Sequence, residues 1–183
     1  QNYLIKLRKK KYYFLGAKKD RNYLNKLMIF EEKDIEKSDF ILNLGMNDGE
    51  TVNKYIKVLS LAAKKNILMI CVNPDLEVIR GKKKEFCAGA LALEYEKLGG
   101  KVKYFGKPYN EIYRKTMKKI KIKNKKKILA IGDSLRTDIL GANNFQIDSA
   151  LVLSGLHGKI KEIEKICKKT NIYPKFLFNT LKW

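Results

Sequence analysis

The sequence predicts an α/β fold. Apolar runs of strand length alternate with helix-length stretches from Tyr12 to Leu181, the runs mostly close on glycine or on an Asn/Asp turn, and no segment repeats. This alternation is the pattern of parallel strands joined by crossover helices.

Taken in order, Asn2–Lys11 is basic and carries Leu4, Ile5 and Leu7, as at the end of a helix. Tyr12–Leu15 reads as a strand closed by Gly16, and Asp20 as the cap of a short helix ending near Leu27. Phe40–Leu44 is a second strand, closed by Gly45. After the Asn47-Asp48-Gly49 turn, Val52, Ile56, Leu59 and Ala63 keep helical spacing over Thr51–Lys64. Ile67–Val72 is a strand ending in Asn73-Pro74-Asp75. Leu76–Lys84 reads as a polar, basic loop, and Phe86–Leu98 as a helix stopped by Gly99-Gly100. Val102–Phe105 is a strand leading into Gly106-Lys107-Pro108, Asn110–Ile120 a helix, and Lys121–Lys127 a basic connector. Ile128–Ile131 is a continuous apolar run, the pattern of a parallel strand covered on both faces. A helix, a strand over Ser149–Leu153, an amphipathic helix over Lys159–Lys169 and a short strand within Tyr173–Leu181 complete the chain. Gly99-Gly100 is the expected hinge, dividing an α/β module (residues 1–100) from a second module (residues 101–183).

The 183 residues carry 40 Lys+Arg against 19 Asp+Glu, a formal net charge of +21. Only five of the 40 are Arg (Arg8, Arg21, Arg80, Arg114 and Arg136). A dedicated nucleic-acid surface favours the bidentate guanidinium, so the lysine excess argues against nucleic acid as partner and for a solvated surface. A polyanion-binding surface is the alternative. Cys71, Cys87 and Cys167 are odd in number, with no close pairing, and Cys71 lies in an apolar strand. Reduced thiols and a cytoplasmic location are the expectation. The longest apolar runs, Ile67–Val72 and Phe86–Leu93, are too short to span a membrane, and no signal peptide is visible.

The chemistry concentrates at Lys127–Ser154. Asp133 follows Gly132 at the carboxyl end of a strand, where open α/β sheets place their ligands. Asp138 lies five residues on, in the first turn of the next helix. Two carboxylates there, with Lys107 upstream in a tight turn, suit a magnesium-dependent phosphoryl site. The plain alternatives are a dipole-favoured carboxylate for Asp138 and a simple turn for Asn73-Pro74-Asp75.

At Gly106-Lys107-Pro108 and Gly132-Asp133-Ser134-Leu135-Arg136-Thr137-Asp138 the sequence resembles the haloacid dehalogenase (HAD) superfamily, most closely subclass IIA, whose members include phosphatases of small metabolites. Asn73-Pro74-Asp75, Cys87-Ala88-Gly89-Ala90 and Leu151–Gly155 are similar to segments of that subclass. The resemblance implies that residues 1–100 form an α/β cap and residues 101–183 the C-terminal half of a Rossmannoid parallel-sheet core. It implies a catalytic set of Lys107, Asp133 and Asp138. Lys107 would pair with phosphate oxygens, Asp133 would ligate Mg²⁺, and Asp138 would orient a metal-bound water or Lys107. Asn73 and Asp75, with Lys107, would contact a small phosphorylated metabolite.

The sequence departs from the family at the nucleophile. Asp20, Asp34, Asp39, Asp48, Asp75, Asp133, Asp138 and Asp148 include no two separated by a single residue, so the Asp-x-Asp-Gly motif is absent. Tyr12–Gly16 resembles the first cap strand. The expectation is an N-terminally truncated or split hydrolase, inactive alone, whose Ile128–Ile131 strand lies at an open edge and recruits a companion chain bearing the missing half. The alternatives are a non-catalytic remnant with weak Mg²⁺ or phosphate binding and a basic accessory protein. The Gly132-Asp133-Ser134-Leu135 tetrapeptide also suggests a GDSL esterase with Ser134 as nucleophile. The single histidine, His157, follows Ser154 by three residues where that class needs Asp-x-x-His. One histidine and scattered cysteines give no readable zinc site.

Overall fold

The computed structural model describes Tyr3, Leu7 and residues 9–24, 29–80, 83–153 and 160–181, and the chain forms two compact units, residues 1–105 and 106–183. The mixed α/β class with parallel sheets is as the sequence predicts. The division falls at Phe105/Gly106 rather than at Gly99-Gly100. Val102–Tyr104 is a strand of the first unit's sheet, and the two glycines cap a helix within that unit. Gly99 takes a φ of +86°, and the amides of Gly99 and Gly100 donate back to Glu96 and Tyr95.

The first unit is built on a five-stranded, wholly parallel sheet. Its strands are β1 (Lys11–Leu15), β2 (Phe30–Glu31), β3 (Phe40–Asn43), β4 (Leu68–Cys71) and β7 (Val102–Tyr104), in the order β2-β1-β3-β4-β7. The central strands β3 and β4 are mostly apolar because both of their faces are buried. Tyr12, Phe14, Phe40, Leu42 and Ile70 form one cluster. Leu15, Ile41, Met69 and Cys71 form the other, against Leu59 and Ala62 of α1 (Ile56–Lys64) and Leu91, Ala92 and Tyr95 of α2 (Ala88–Lys97). The expected helix over Thr51–Lys64 opens as a 3-10 turn at Val52–Tyr55 and becomes α-helical at Ile56. The Asp20 region is a 3-10 helix, Lys18–Leu24.

The stretch expected as a loop, Leu76–Lys84, is instead an antiparallel hairpin of β5 (Glu77–Arg80) and β6 (Lys83–Phe86), registered Glu77 to Phe86. Its strands, Glu-Val-Ile-Arg and Lys-Lys-Glu-Phe, show no alternation of apolar and polar residues, so there is no hydrophobic period to read. The following helix starts at Ala88, since Phe86 is still strand and Cys87 is an extended N-cap.

The second unit holds α3 (Asn110–Ile120) and a three-stranded parallel sheet, β8 (Leu129–Gly132), β9 (Asp148–Val152) and β10 (Phe176–Phe178), in the order β10-β9-β8. A π-helical turn at Leu135–Ile139 runs into α4 (Leu140–Phe145), and α5 spans Ile160–Thr170. One core cluster joins Leu135, Ile139, Leu151, Leu153, Ile163 and Cys167. Another joins Ala142, Phe145 and Ile147 with Tyr113, Met117, Ile128 and Ala130. The expectation that Ile128–Ile131 is covered on both faces does not hold. Among the described residues β8 pairs with β9 alone, and Leu129 and Ile131 are 43% and 42% exposed. No helix among the described residues is long and apolar enough to cross a membrane. Asn2, Ser154, Gly155 and His157, singled out in the sequence, lie outside the described residues.

Candidate active site

The site is assembled at the carboxyl end of β8. Gly132 ends the strand, Asp133 occupies the bend, and Ser134 caps the turn that follows by accepting the Thr137 amide on its hydroxyl at 3.3 Å. The first turn is wound wide. The amides of both Asp138 and Ile139 donate to the Ser134 carbonyl, at 3.0 and 3.1 Å. This winding folds the Asp138 side chain back under the bend, where its Oδ2 accepts the Ser134 amide at 3.2 Å. Gly132 is required by this packing, because a Cβ there would be driven into the Asp138 carboxylate.

Lys107 reaches the same carboxylate from the Gly106-Lys107-Pro108 turn. Its ammonium forms an ion pair with Asp138 Oδ1, with the acid buried and the lysine half exposed. Gly106 has a φ of +103°, which only glycine adopts at low energy, and the Lys107-Pro108 peptide is cis. Tyr113, from the inner face of α3, donates its hydroxyl to the Asp138 carbonyl at 3.4 Å and stacks on Phe145 with ring centroids 5.2 Å apart. Burial, and secondarily the Asp138 charge, push its phenol up to about 12. Gly141 admits that hydroxyl; a side chain at 141 would overlap it.

Lys107 and Asp138 are thus brought into direct contact. Asp133 is exposed at the tip of the bend, one residue beyond the glycine lying against the Asp138 carboxylate. Among the described residues no three acids, histidines or cysteines cluster as a metal cage. Mg²⁺ needs none, since it keeps several waters and takes one or two carboxylates plus substrate oxygens. One exposed carboxylate beside a buried acid–ammonium pair fits that requirement. Tyr113 and the Ser134 amide were not singled out in the sequence. The helical period of Asn110–Ile120 does place Tyr113 on its inner face, in line with Met117.

Asn73 and Asp75 belong to the first unit, beyond the end of β4. Asn73 Oδ1 accepts the Asp75 amide at 3.1 Å, an Asx turn, and the Asp75 carbonyl accepts the Gly89 amide at 3.0 Å. Gly89 is there because a side chain would collide with the Pro74 and Asp75 carbonyls. Asn73 lines a cavity of about 240 Å³ with the 44–51 loop and the start of α2. In that loop Glu50 is held down to about 2, first by Lys54 and then by the Tyr55 hydroxyl, both hydrogen-bonded to it.

A family model named Hydrolase_like, described as "HAD-hyrolase-like", matches residues 104–182. Ribonucleotide monophosphatase NagD of Escherichia coli K12 is 36% identical over 88 residues, 48% of this chain and 34% of that protein. A haloacid dehalogenase-like hydrolase from Brucella suis 1330 superposes with a TM-score of 0.84 at 27% identity, covering 98% of this chain and 69% of that one. A possible sugar phosphatase of the HAD superfamily from Cytophaga hutchinsonii gives 0.77 at 26%, covering 100% and 70%. Residues 104–182 thus match the haloacid dehalogenase-like hydrolase family, and the similarity to NagD and to these two solved hydrolases supports subclass IIA. The chain's match spans about a third of the length of the curated relatives.

Proposed function

We propose that this chain carries the phosphate- and metal-holding half of a Mg²⁺-dependent phosphatase of a small phosphorylated metabolite. The observation that carries the reading is the Lys107–Asp138 ion pair directly under the bend that exposes Asp133. Lys107 keeps a positive charge beside the place where a phosphoryl group would sit, and Asp138 fixes its position. The Tyr113 hydroxyl and the Ser134 amide hold Asp138 in turn. Asp133 would hold Mg²⁺, which when bound neutralises charge on phosphoryl oxygens.

The nucleophilic carboxylate comes from outside this sequence in this reading, because the chain has no Asp-x-Asp. A segment or companion polypeptide bearing that motif would supply it, and these residues alone would be inactive. The expected outcome with p-nitrophenyl phosphate and Mg²⁺ is no turnover by the chain alone, and Mn²⁺ binding, read by electron paramagnetic resonance, that Asp133→Asn abolishes. Turnover by the chain alone would show a nucleophile within it. Unchanged Mn²⁺ binding in the variant would remove Asp133 from the metal.

One observation favours a second reading as a basic accessory or remnant protein. Arg114, Lys118, Lys121 and Lys123 line an open hollow of about 500 Å³ floored by Met117, Ile122 and Phe145. RNA binding that falls steeply with salt, and survives Asp133→Asn, would support it.

A further inference from the structure

The end of α3 builds a second cationic place in this unit, apart from the Lys107–Asp138 pair. Lys121 takes a φ of +56°, and the Ile122 amide donates back to the Met117 carbonyl at 3.2 Å. The chain reverses there, and Met117, Ile122 and Phe145 form the apolar floor of the hollow of about 500 Å³. Phe145 is fixed in that floor. Its ring stacks on Tyr113, and Lys125 Nζ lies 4.3 Å from the ring centroid while donating to the Phe145 carbonyl at 2.7 Å. Arg114, Lys118, Lys121 and Lys123 stand around the floor, all exposed. No acid answers them. Ile112–Gly132 contains no Asp or Glu, and the Glu111 carboxylate is taken by Lys115 at 2.7 Å. Among the described residues none of the four is ion-paired. Like charges gathered in this way repel, and a bound anion relieves them.

We propose that this hollow binds a small anionic amphiphile, a phosphate head on an aliphatic chain, with the head among Arg114, Lys118, Lys121 and Lys123 and the chain on Met117, Ile122 and Phe145. The volume is that of a small-molecule site. The guanidinium and the ammonium groups pair with phosphoryl oxygens, and the Met117 thioether adapts to a flexible chain. Nucleic acid fits less well. Phe145 is only 5% exposed, with Tyr113 stacked on it and Lys125 over its ring, so it offers no platform for a base. The inference rests on the hollow alone. It stands whether or not Asp133 holds a metal, and it gives the hollow a different ligand from that of the accessory-protein reading.

The probe is n-octyl phosphate below its micellar concentration, titrated calorimetrically into the full chain without Mg²⁺, so that a metal-dependent site stays silent. Inorganic phosphate and octyl glucoside are the controls for head and tail. Expected is one site at least about 10-fold tighter for octyl phosphate than for either control, a factor that burial of about two methylenes already supplies. Binding should weaken from low to ~0.5 M salt. Arg114→Gln with Lys118→Gln should weaken it by about 10-fold. Lys168→Gln with Lys169→Gln, an equal loss of charge on α5, should leave it unchanged. Nuclear magnetic resonance should show the Phe145 and Tyr113 ring signals moving with octyl phosphate in the unaltered chain and not in the Arg114/Lys118 variant. Circular dichroism of the free variants checks that they fold. Octyl phosphate bound no tighter than inorganic phosphate overturns the inference, and so does equal weakening by the two double variants, or none by the first. Single-stranded RNA that the first double variant releases and octyl phosphate cannot displace would make the occupant nucleic acid and overturn it too.

Discussion

Asp138 is the residue on which the site turns, because its buried carboxylate is held from several directions. Lys107 pairs with Oδ1, the Ser134 amide bonds Oδ2, and Gly132 leaves room for both. Removing the lysine alone strands a buried charge, so Lys107→Met is expected to lower unfolding free energy by about 1–3 kcal/mol. Removing both members, in Lys107→Met with Asp138→Leu, should cost less than the sum of the single losses. Urea melts of the four proteins measure the coupling, and strictly additive losses would show that the pair does not interact. Gly132→Ala tests the same packing from the strand side. Its methyl group must displace the carboxylate, and a loss of about 1–3 kcal/mol in the same melts is expected. A neutral substitution would place Asp138 elsewhere.

The elements that could be read in the sequence are those whose burial imposes a period. Phe40–Leu42 and Leu68–Cys71 are buried on both faces and read as unbroken apolar runs. Asn110–Ile120 was legible to the residue from its turn and spacing. The β5–β6 hairpin was not, because its two short strands carry no apolar alternation. Nor was the π turn at Leu135–Ile139, since a five-residue hydrogen-bond ring leaves no mark on side-chain type. That turn swings Asp138 beneath the strand end, so the order of Lys107, Asp133 and Asp138 was visible and their arrangement was not. Between β4 and α2 the decisive residue is Gly89, whose missing side chain lets the Asn73-Pro74-Asp75 turn seat on the helix. Gly89→Ala is expected to destabilise the first unit by about 1–3 kcal/mol despite alanine's better helix propensity. A thermal melt in which the variant is more stable would show that the turn yields instead.

At the scale of the whole molecule, two opposed features set its behaviour in solution: a net charge of +21 and a second-unit sheet on which Leu129, Ile131, Phe176, Leu177 and Phe178 are exposed. Repulsion between copies acts over the Debye length, about 30 Å at 0.01 M salt and about 8 Å at 0.15 M. The apolar attraction acts at contact and is not screened. Salt therefore removes the barrier and leaves the attraction, so the chain alone is expected to stay dispersed at low ionic strength and to associate as salt rises. Replacing Ile131 and Phe176 with lysine should shift the onset to higher salt, because it reduces the sticky face and adds to the charge. Static light scattering against salt concentration reads both effects. Acid supplies an independent control on the charge side. Glu50 is held at about 2 in the folded chain against an ordinary 4.5, so its stabilising pairing with Lys54 is complete above pH 4.5 and is lost as pH falls toward 2. The stability gap between the protein and Glu50→Gln should close over that window. If scattering instead falls as salt rises, opposite charges on neighbouring copies hold the aggregates together, and the bare sheet is not what the molecule must keep covered.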